Sequence, residues 1–274
     1  MGQPFVKFNL GVNLEFVDTH CHLQLIQEKL GQESSIKGII QEANAKNVCR
    51  LLTVSGSLDD LLGVVKVVEE FPNVFGALGV HPHDASKMKE SHFDFIKNHL
   101  QHPKISMLGE IGLDYYYEYS PRDVQKEIFV RYLQLADEYH KPVVLHTRDA
   151  EEDTIKILKE KGSRLKGVVH CFTGSLELAQ FIIQECPNLY LGFTGVITFK
   201  NAQKIRDVVK ATPIERIFIE TDSPFMAPEP HRGKTNQPSY IPYVLKKVAE
   251  IKGLAETDVM TITNLNCEFL FQEQ

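Results

Sequence analysis

Eight short apolar runs, separated by longer amphipathic stretches, constrain this chain more than any other feature. They lie at residues 14–19, 50–54, 74–80, 105–111, 142–146, 167–170, 189–193 and 217–221. Their length and β-branched content read as buried strands. One intervening segment opens at Ser120-Pro121, with Ser as N-cap and Pro at the first helical position. It continues through Val124, Ile128, Phe129, Tyr132, Leu133, Ala136 and Tyr139, spacing that gives a helix one apolar face. Another runs from Glu151 through Ile155 and Leu158 to a stop at Gly162, and residues 259–271 read as a closing helix. Strands alternating with helices imply a parallel sheet. Eight units suit a closed (β/α)8 TIM barrel, an α/β fold of about 250 residues. A doubly wound open sheet usually has fewer strands and a glycine-rich first turn, which this chain lacks. With no linker, repeat or low-complexity tract, residues 1–274 read as one domain.

A formal charge of −6 excludes the global basic footprint of a protein that coats duplex DNA. It leaves room for an enzyme that grips one strand end through metals and a few local cations. The five cysteines form no CxxC and read as reduced thiols. The stretch Met1 to Lys7 lacks the basic-then-apolar order of a signal peptide, and Val6 breaks the myristoylation pattern that Gly2 opens. No run is long enough to span a membrane. A cytoplasmic protein without membrane association, and a monomer, is the expectation.

In a TIM barrel the active site sits where strands finish, and here the strand ends carry unusual residues. The first ends Asp18-Thr19-His20-Cys21-His22, the third His81-Pro82-His83, the fourth Glu110-Ile111-Gly112-Leu113-Asp114. The fifth ends His146-Thr147-Arg148-Asp149, the sixth His170-Cys171, the eighth Glu220-Thr221-Asp222-Ser223-Pro224. Side chains two apart on a strand share a side, so His20 and His22 can chelate one ion from a single face. Buried ionisable groups are costly unless paired or metal-bound. Together His20, His22, Glu110, His146, His170 and Asp222 supply four imidazoles and two carboxylates, more than one tetrahedral ion uses and about right for two. Glu110, with two hard oxygens, can bridge them. Such mixed ligands suit Zn, Mn or Mg. By strand alternation, Cys21 and Cys171 should face away from the cluster, into helix packing.

These strand-end motifs resemble, in order, those of the TatD family of metal-dependent deoxyribonucleases, a branch of the amidohydrolase-like superfamily. Leu145-His146-Thr147-Arg148-Asp149-Ala150, His170-Cys171-Phe172-Thr173-Gly174-Ser175 and Arg232-Gly233-Lys234-Thr235-Asn236 belong to the same set, which covers residues 14 to about 240. Gln237 departs from the Glu expected after Asn236. The resemblance implies a phosphodiesterase using metal-activated water and two divalent ions. It implies a 3′–5′ exodeoxyribonuclease acting on single-stranded or frayed DNA ends.

On that reading Asp222 is both ligand and proton acceptor, and Glu110 is the bridge. His81 contacts substrate or protonates the leaving group, unless it is a structural histidine. Arg148 is either a phosphate clamp, as guanidinium suits phosphate oxygens, or the partner of Asp149 or Glu151. Arg232, Lys234 and Asn236 lie on the long loop 223–239, where they suit a neighbouring phosphate or sugar. Tyr115, with Tyr116, Tyr117 and Tyr119 nearby, offers rings for base stacking. The competing enzyme is a small-molecule amidohydrolase or phosphotriesterase-like hydrolase. Against it, Glu110 stands where a carbamylated-lysine bridge would need Lys. A metal-stabilised binding module is the non-enzymatic alternative, but it needs fewer ligands and no open mouth.

Overall fold

The computed structural model describes residues 15–31 and 33–271. The start of the first expected strand, Leu14, and the segment weighed as a signal peptide lie outside them. Eight strands form one parallel sheet in sequence order: β1 Phe16–Cys21, β2 Val48–Val54, β3 Val74–Leu78, β4 Ile105–Asp114, β5 Val143–Arg148, β6 Gly167–Val169, β7 Leu189–Phe193 and β8 Ile217–Ile219. Between β1 and β2 lie α1 (Leu23–Leu30) and α2 (Ile36–Asn44). The later crossovers carry α3 (Leu61–Glu70), α4 (Glu90–His99), α5 (Arg122–Glu138), α6 (Glu151–Lys161), α7 (Leu176–Glu185) and α8 (Gln203–Ala211). After β8 come α9 (Ile241–Lys252) and α10 (Glu256–Cys267). This is the TIM barrel expected from the alternation.

Alternate strand residues fill two layers. Val17, Leu52, Val54, Phe75, Ala77, Met107, Val144, Val168 and Phe218 pack together inside the barrel, and Cys267, Leu270 and Phe271 join them. The opposite strand faces, among them Leu51, Leu78, Leu108, Leu145, Val169 and Ile219, pack on the helices. Burial of both faces explains why the strands read as continuous apolar runs.

The seam between β1 and β8 is closed mostly by polar contacts. The Asp18 carboxylate accepts the backbone N–H of Thr221 (2.9 Å) and its hydroxyl (2.6 Å). Main-chain bonds run from His22 N to Ser223 O (2.8 Å) and from Asp222 N to His20 O (2.9 Å). Closing the barrel therefore fixes His20, His22 and Asp222 relative to one another.

Several boundaries differ from expectation. β4 runs on to Asp114 because its ladder with β5 continues from Ile111–Leu145 to Asp114–Arg148. Gly109 and Gly112 allow its irregular course: a Cβ on Gly109 would lie 2.6 Å from that of Val144, and one on Gly112 2.0 Å from His146 O. Both have positive φ, which glycine adopts without a Cβ clash. β6 and β8 stop early, so His170 and Asp222 sit on turns just past the ladder. α5 starts at Arg122 with Pro121 as cap; Ser120 instead donates its hydroxyl to His83 O (2.9 Å). The closing helix ends at Cys267 and tightens into a 3-10 turn, Glu268–Phe271. Among the described residues, no helix is long and apolar enough to cross a membrane.

Candidate metal centre

The C-terminal ends of β1, β4, β5 and β6 and the turn after β8 bring all six expected ligands into one cluster, with Glu110 at its centre. Glu110 Oε2 lies 3.5 Å from His20 Nε2 and 4.0 Å from His22 Nε2. Its other oxygen, Oε1, lies 2.6 Å from His170 Nε2 and 2.7 Å from His146 Nδ1. Asp222 Oδ1 completes the first group, 3.8 Å from His20 Nε2 and 3.6 Å from His22 Nε2. The cluster thus has two halves sharing one carboxylate: His20 and His22 on Oε2, with Asp222 against both rings, and His146 and His170 on Oε1.

The donor set fits divalent cations. His20 Nε2 and His22 Nε2 face each other at 3.2 Å, as do His146 Nδ1 and His170 Nε2. Buried nitrogen pairs aimed at one carboxylate suit a cation among them. The far nitrogens orient two of these rings. His22 Nδ1 meets Val54 O at 2.8 Å, and His146 Nε2 meets Asp114 Oδ2 at 3.0 Å. A carboxylate or carbonyl behind a ligating imidazole sets its tautomer. Among the described residues the buried Nδ1 atoms of His20 and His170 have no hydrogen-bond partner, the nearest carboxylate oxygen to the second being Glu220 Oε1 at 3.8 Å.

Electrostatics separates the groups. Burial pushes Glu110 up, but His170, His81 and His146 outweigh it and hold the carboxyl well below its ordinary value. Asp222 is likewise lowered against burial, by His22, His170 and His20. Burial works against protonation of His22 and His146. Asp222 and Glu110 raise the first to about 9, and Asp114 and Glu110 raise the second to about 9. His20 is lowered to about 4 by burial and by His170. His81 falls well below its ordinary value through burial and then His146. It is neutral at pH 7. Its Nδ1 accepts the N–H of His83 at 3.2 Å, which leaves the proton on Nε2, 3.6 Å from Glu110 Oε1.

Other expected contacts are placed unequally. The Arg148 guanidinium lies 3.9 Å over the Tyr116 ring and 5.0 Å from that of Tyr117. Among the described residues no carboxylate pairs with it, and Glu151 instead accepts from Ser175 N at 2.7 Å. Arg232 is exposed and lies 3.7 Å over Phe199; Lys234 is also exposed. Two readings need correction. Asn236 is fully buried. Its amide donates to Thr221 O (2.8 Å) and Phe225 O (2.6 Å), so it braces the loop that carries Arg232 and Lys234 and does not face the mouth. Tyr115 is half-buried: its hydroxyl donates to Asp153 (2.6 Å) and its ring lies under Arg122. The exposed rings are those of Tyr116, Tyr117 and Tyr119.

Cys171 also departs from expectation. Because β6 ends at Val169, alternation no longer governs it; it turns with φ +42°. Its thiol lies 3.5 Å from Thr194 Oγ1. Burial and the Asp222 and Glu220 carboxylates push it well above its ordinary pKa. Cys21 does face the outer packing, against Leu52 O at 3.4 Å. Two contributors escaped the ligand set read from sequence. Asp114, four residues past Glu110, orients His146. Glu220, wholly buried, is held well above its ordinary pKa by burial and by Asp222 and Asp18, and it accepts the Cys171 N–H. Their signal was an acid at a strand end, but neither spacing nor type separated a supporting acid from a ligand.

Comparison with known proteins bears on this cluster. The family described as TatD related DNase matches residues 17–272. The chain is 41% identical over 258 residues to the uncharacterized metal-dependent hydrolase YabD of Bacillus subtilis (strain 168), covering 93% of this chain and 98% of that protein. It is 36% identical over 232 residues to the human 3′-5′ RNA nuclease TATDN2, covering 81% of this chain but 30% of that longer protein. Among solved structures, the TatD homologue YJJV of Escherichia coli K12 superposes with a TM-score of 0.85 at 27% identity, covering 93% of this chain and 97% of that one.

Proposed function

This chain belongs to the TatD family of metal-dependent hydrolases, and from that premise we propose that it hydrolyses phosphodiester bonds of DNA, trimming single-stranded or frayed ends in the 3′–5′ direction. The observation that carries the reading is Glu110 shared between two imidazole groups, at a mouth flanked by Arg148 and exposed tyrosines. His20, His22, Asp222 and Glu110 would hold one divalent ion, and Glu110, His146 and His170 would hold a second; Mg, Mn and Zn all suit these donors. Bound there, such ions lower the pKa of water toward about 7 and neutralise phosphate oxygens.

The chain's own residues supply the rest. Asp222, ionised at neutral pH, accepts the proton of the attacking water. His81, neutral with its proton on Nε2, donates a hydrogen bond to a phosphate oxygen. That suits substrate contact better than protonation of the leaving group, which calls for an imidazolium. Arg148 takes a phosphate oxygen from its seat on Tyr116, and Arg232 and Lys234 hold the next phosphate. With so few cations and a charge of −6, the chain grips a short stretch of one strand, so binding has a shallow salt slope.

The test is digestion of end-labelled single-stranded DNA with Mg, Mn or Zn, resolved by size, beside the same strand in RNA, a blunt duplex and a phosphotriester. Stepwise shortening from the 3′ end, lost with chelator, is expected. Turnover of the phosphotriester alone would move the chain to the small-molecule hydrolases.

A further inference from the structure

Beyond the carboxylate–imidazole cluster, the mouth exposes aromatic surface on two sides. Among the described residues ten large hydrophobic side chains are exposed. Five of them, Tyr116, Tyr117, Tyr119, Phe225 and Met226, sit on the loops after β4 and β8. These strands are four places apart in an eight-strand ring, so the two loops face each other across the mouth.

Each bank lies close to the cluster. On the β4 side the rings of Tyr117 and Tyr119 stack 5.4 Å apart at 16°. His83 meets both edge-on, at 5.4 Å and 4.8 Å. His83 Nε2 is 3.2 Å from Asp114, the carboxylate that orients His146. On the β8 side Phe225 meets the His22 ring edge-on at 6.2 Å. Each bank also carries a cation over a ring: Arg148 on Tyr116 at 3.9 Å and Lys29 on Phe225 at 4.3 Å. Tyr115 shows how this loop treats a ring that serves packing: it is half-buried and its hydroxyl is bonded. Its neighbours Tyr116, Tyr117 and Tyr119 are exposed, and among the described residues their hydroxyls have no hydrogen-bond partner.

Aromatic faces interleaved with cations are the chemistry that holds a single strand, with rings for bases and cations for backbone. We infer that the two banks are paired nucleobase subsites, Tyr117–Tyr119 on one side and Phe225 on the other. The backbone of a single strand passes over the cluster between them. The inference rests on the nuclease reading and adds which part of the substrate these loops recognise. Because every base has a π-face, the subsites are indifferent to sequence. A duplex, whose bases are already stacked, cannot use them.

The experiment compares a thymidine oligonucleotide with a strand of equal length built from abasic units. Wild-type protein should show a KM about 10- to 100-fold lower for the base-bearing strand. The double variant Tyr117→Ala, Tyr119→Ala should lose most of that discrimination, as should Phe225→Ala. Tyr117→Phe, Tyr119→Phe should keep it, because the ring and not the hydroxyl does the stacking. Thermal unfolding checks that each variant folds. Equal KM values for the two strands in the wild type, or full discrimination in the alanine variants, overturns the stacking and leaves the nuclease reading intact. Failure to cut either strand, with turnover of a small phosphotriester, overturns both.

Discussion

Replacing Asp114 by Asn should weaken one of the two ion sites proposed above and spare the other. Its carboxylate uses both oxygens. Oδ1 accepts the backbone N–H groups of Tyr116 (3.0 Å) and Tyr117 (3.1 Å), and Oδ2 meets His146 Nε2 at 3.0 Å. An amide keeps one acceptor. With two main-chain donors fixed on one side, its oxygen stays there and its NH2 turns toward His146. Donor then meets donor, and His146 shifts its proton to Nδ1, the atom aimed at Glu110 and the ion. Losing such a supporting carboxylate typically costs 10- to 100-fold in metal affinity, about 1.4–2.7 kcal/mol. The His20, His22 and Asp222 half has its own support, His22 on Val54 O, and should change little. Competition with a chromophoric chelator resolves the two affinities, and thermal unfolding of the metal-free protein checks the fold. If both affinities stay at wild-type values in a folded variant, Asp114 does not set the tautomer of His146 and the argument fails.

Asp222→Asn should lower kcat by about 10²–10⁴ at saturating metal with an unchanged circular dichroism spectrum; near wild-type turnover removes Asp222 as proton acceptor. Metal affinity should rise with pH. His22 and His146, both raised to about 9, carry protons at pH 7 that an incoming cation must displace. At pH 7–8 these two protons should leave on loading, and above pH 9 the dependence should flatten. Calorimetry in buffers of different ionisation enthalpy counts them, and release of none contradicts the assignment. Asn236→Ala strips the Thr221 and Phe225 carbonyls of a buried partner, at about 1–3 kcal/mol. Denaturant unfolding should show that loss, together with a raised KM for oligonucleotides as the loop bearing Arg232 and Lys234 loosens.

The alternation of apolar runs was enough to read the barrel, because strands buried on both faces leave an unambiguous trace. That the six side chains would meet was legible for a related reason: an ionisable residue closing an apolar strand has few inexpensive explanations. What lay beyond the ladders was harder. Asn236 looks like any polar loop residue until the two carbonyls it satisfies are seen. Cys171 was misread because side-chain alternation holds only while the strand lasts, and β6 ends two residues earlier. Asp114 stands on β4 as Glu110 does, yet the ring of His146 lies between them, with Nδ1 on Glu110 and Nε2 on Asp114, and so separates the carboxylate at the centre of the cluster from the one behind it.

The seam has a temporal meaning. Asp18 and Thr221, whose bonds join the first strand to the last, lie 203 residues apart in the chain. Synthesis delivers His20 and His22 about 200 residues before Asp222. A nascent polypeptide interrupted before β8 has neither a closed ring nor the proton acceptor proposed above. On the reading proposed above, competence waits for β8, and cation capture by His20, His22 and Asp222 would double as a readout of completed closure. A nick or truncation in the final strand should abolish chemistry at residues made long before it.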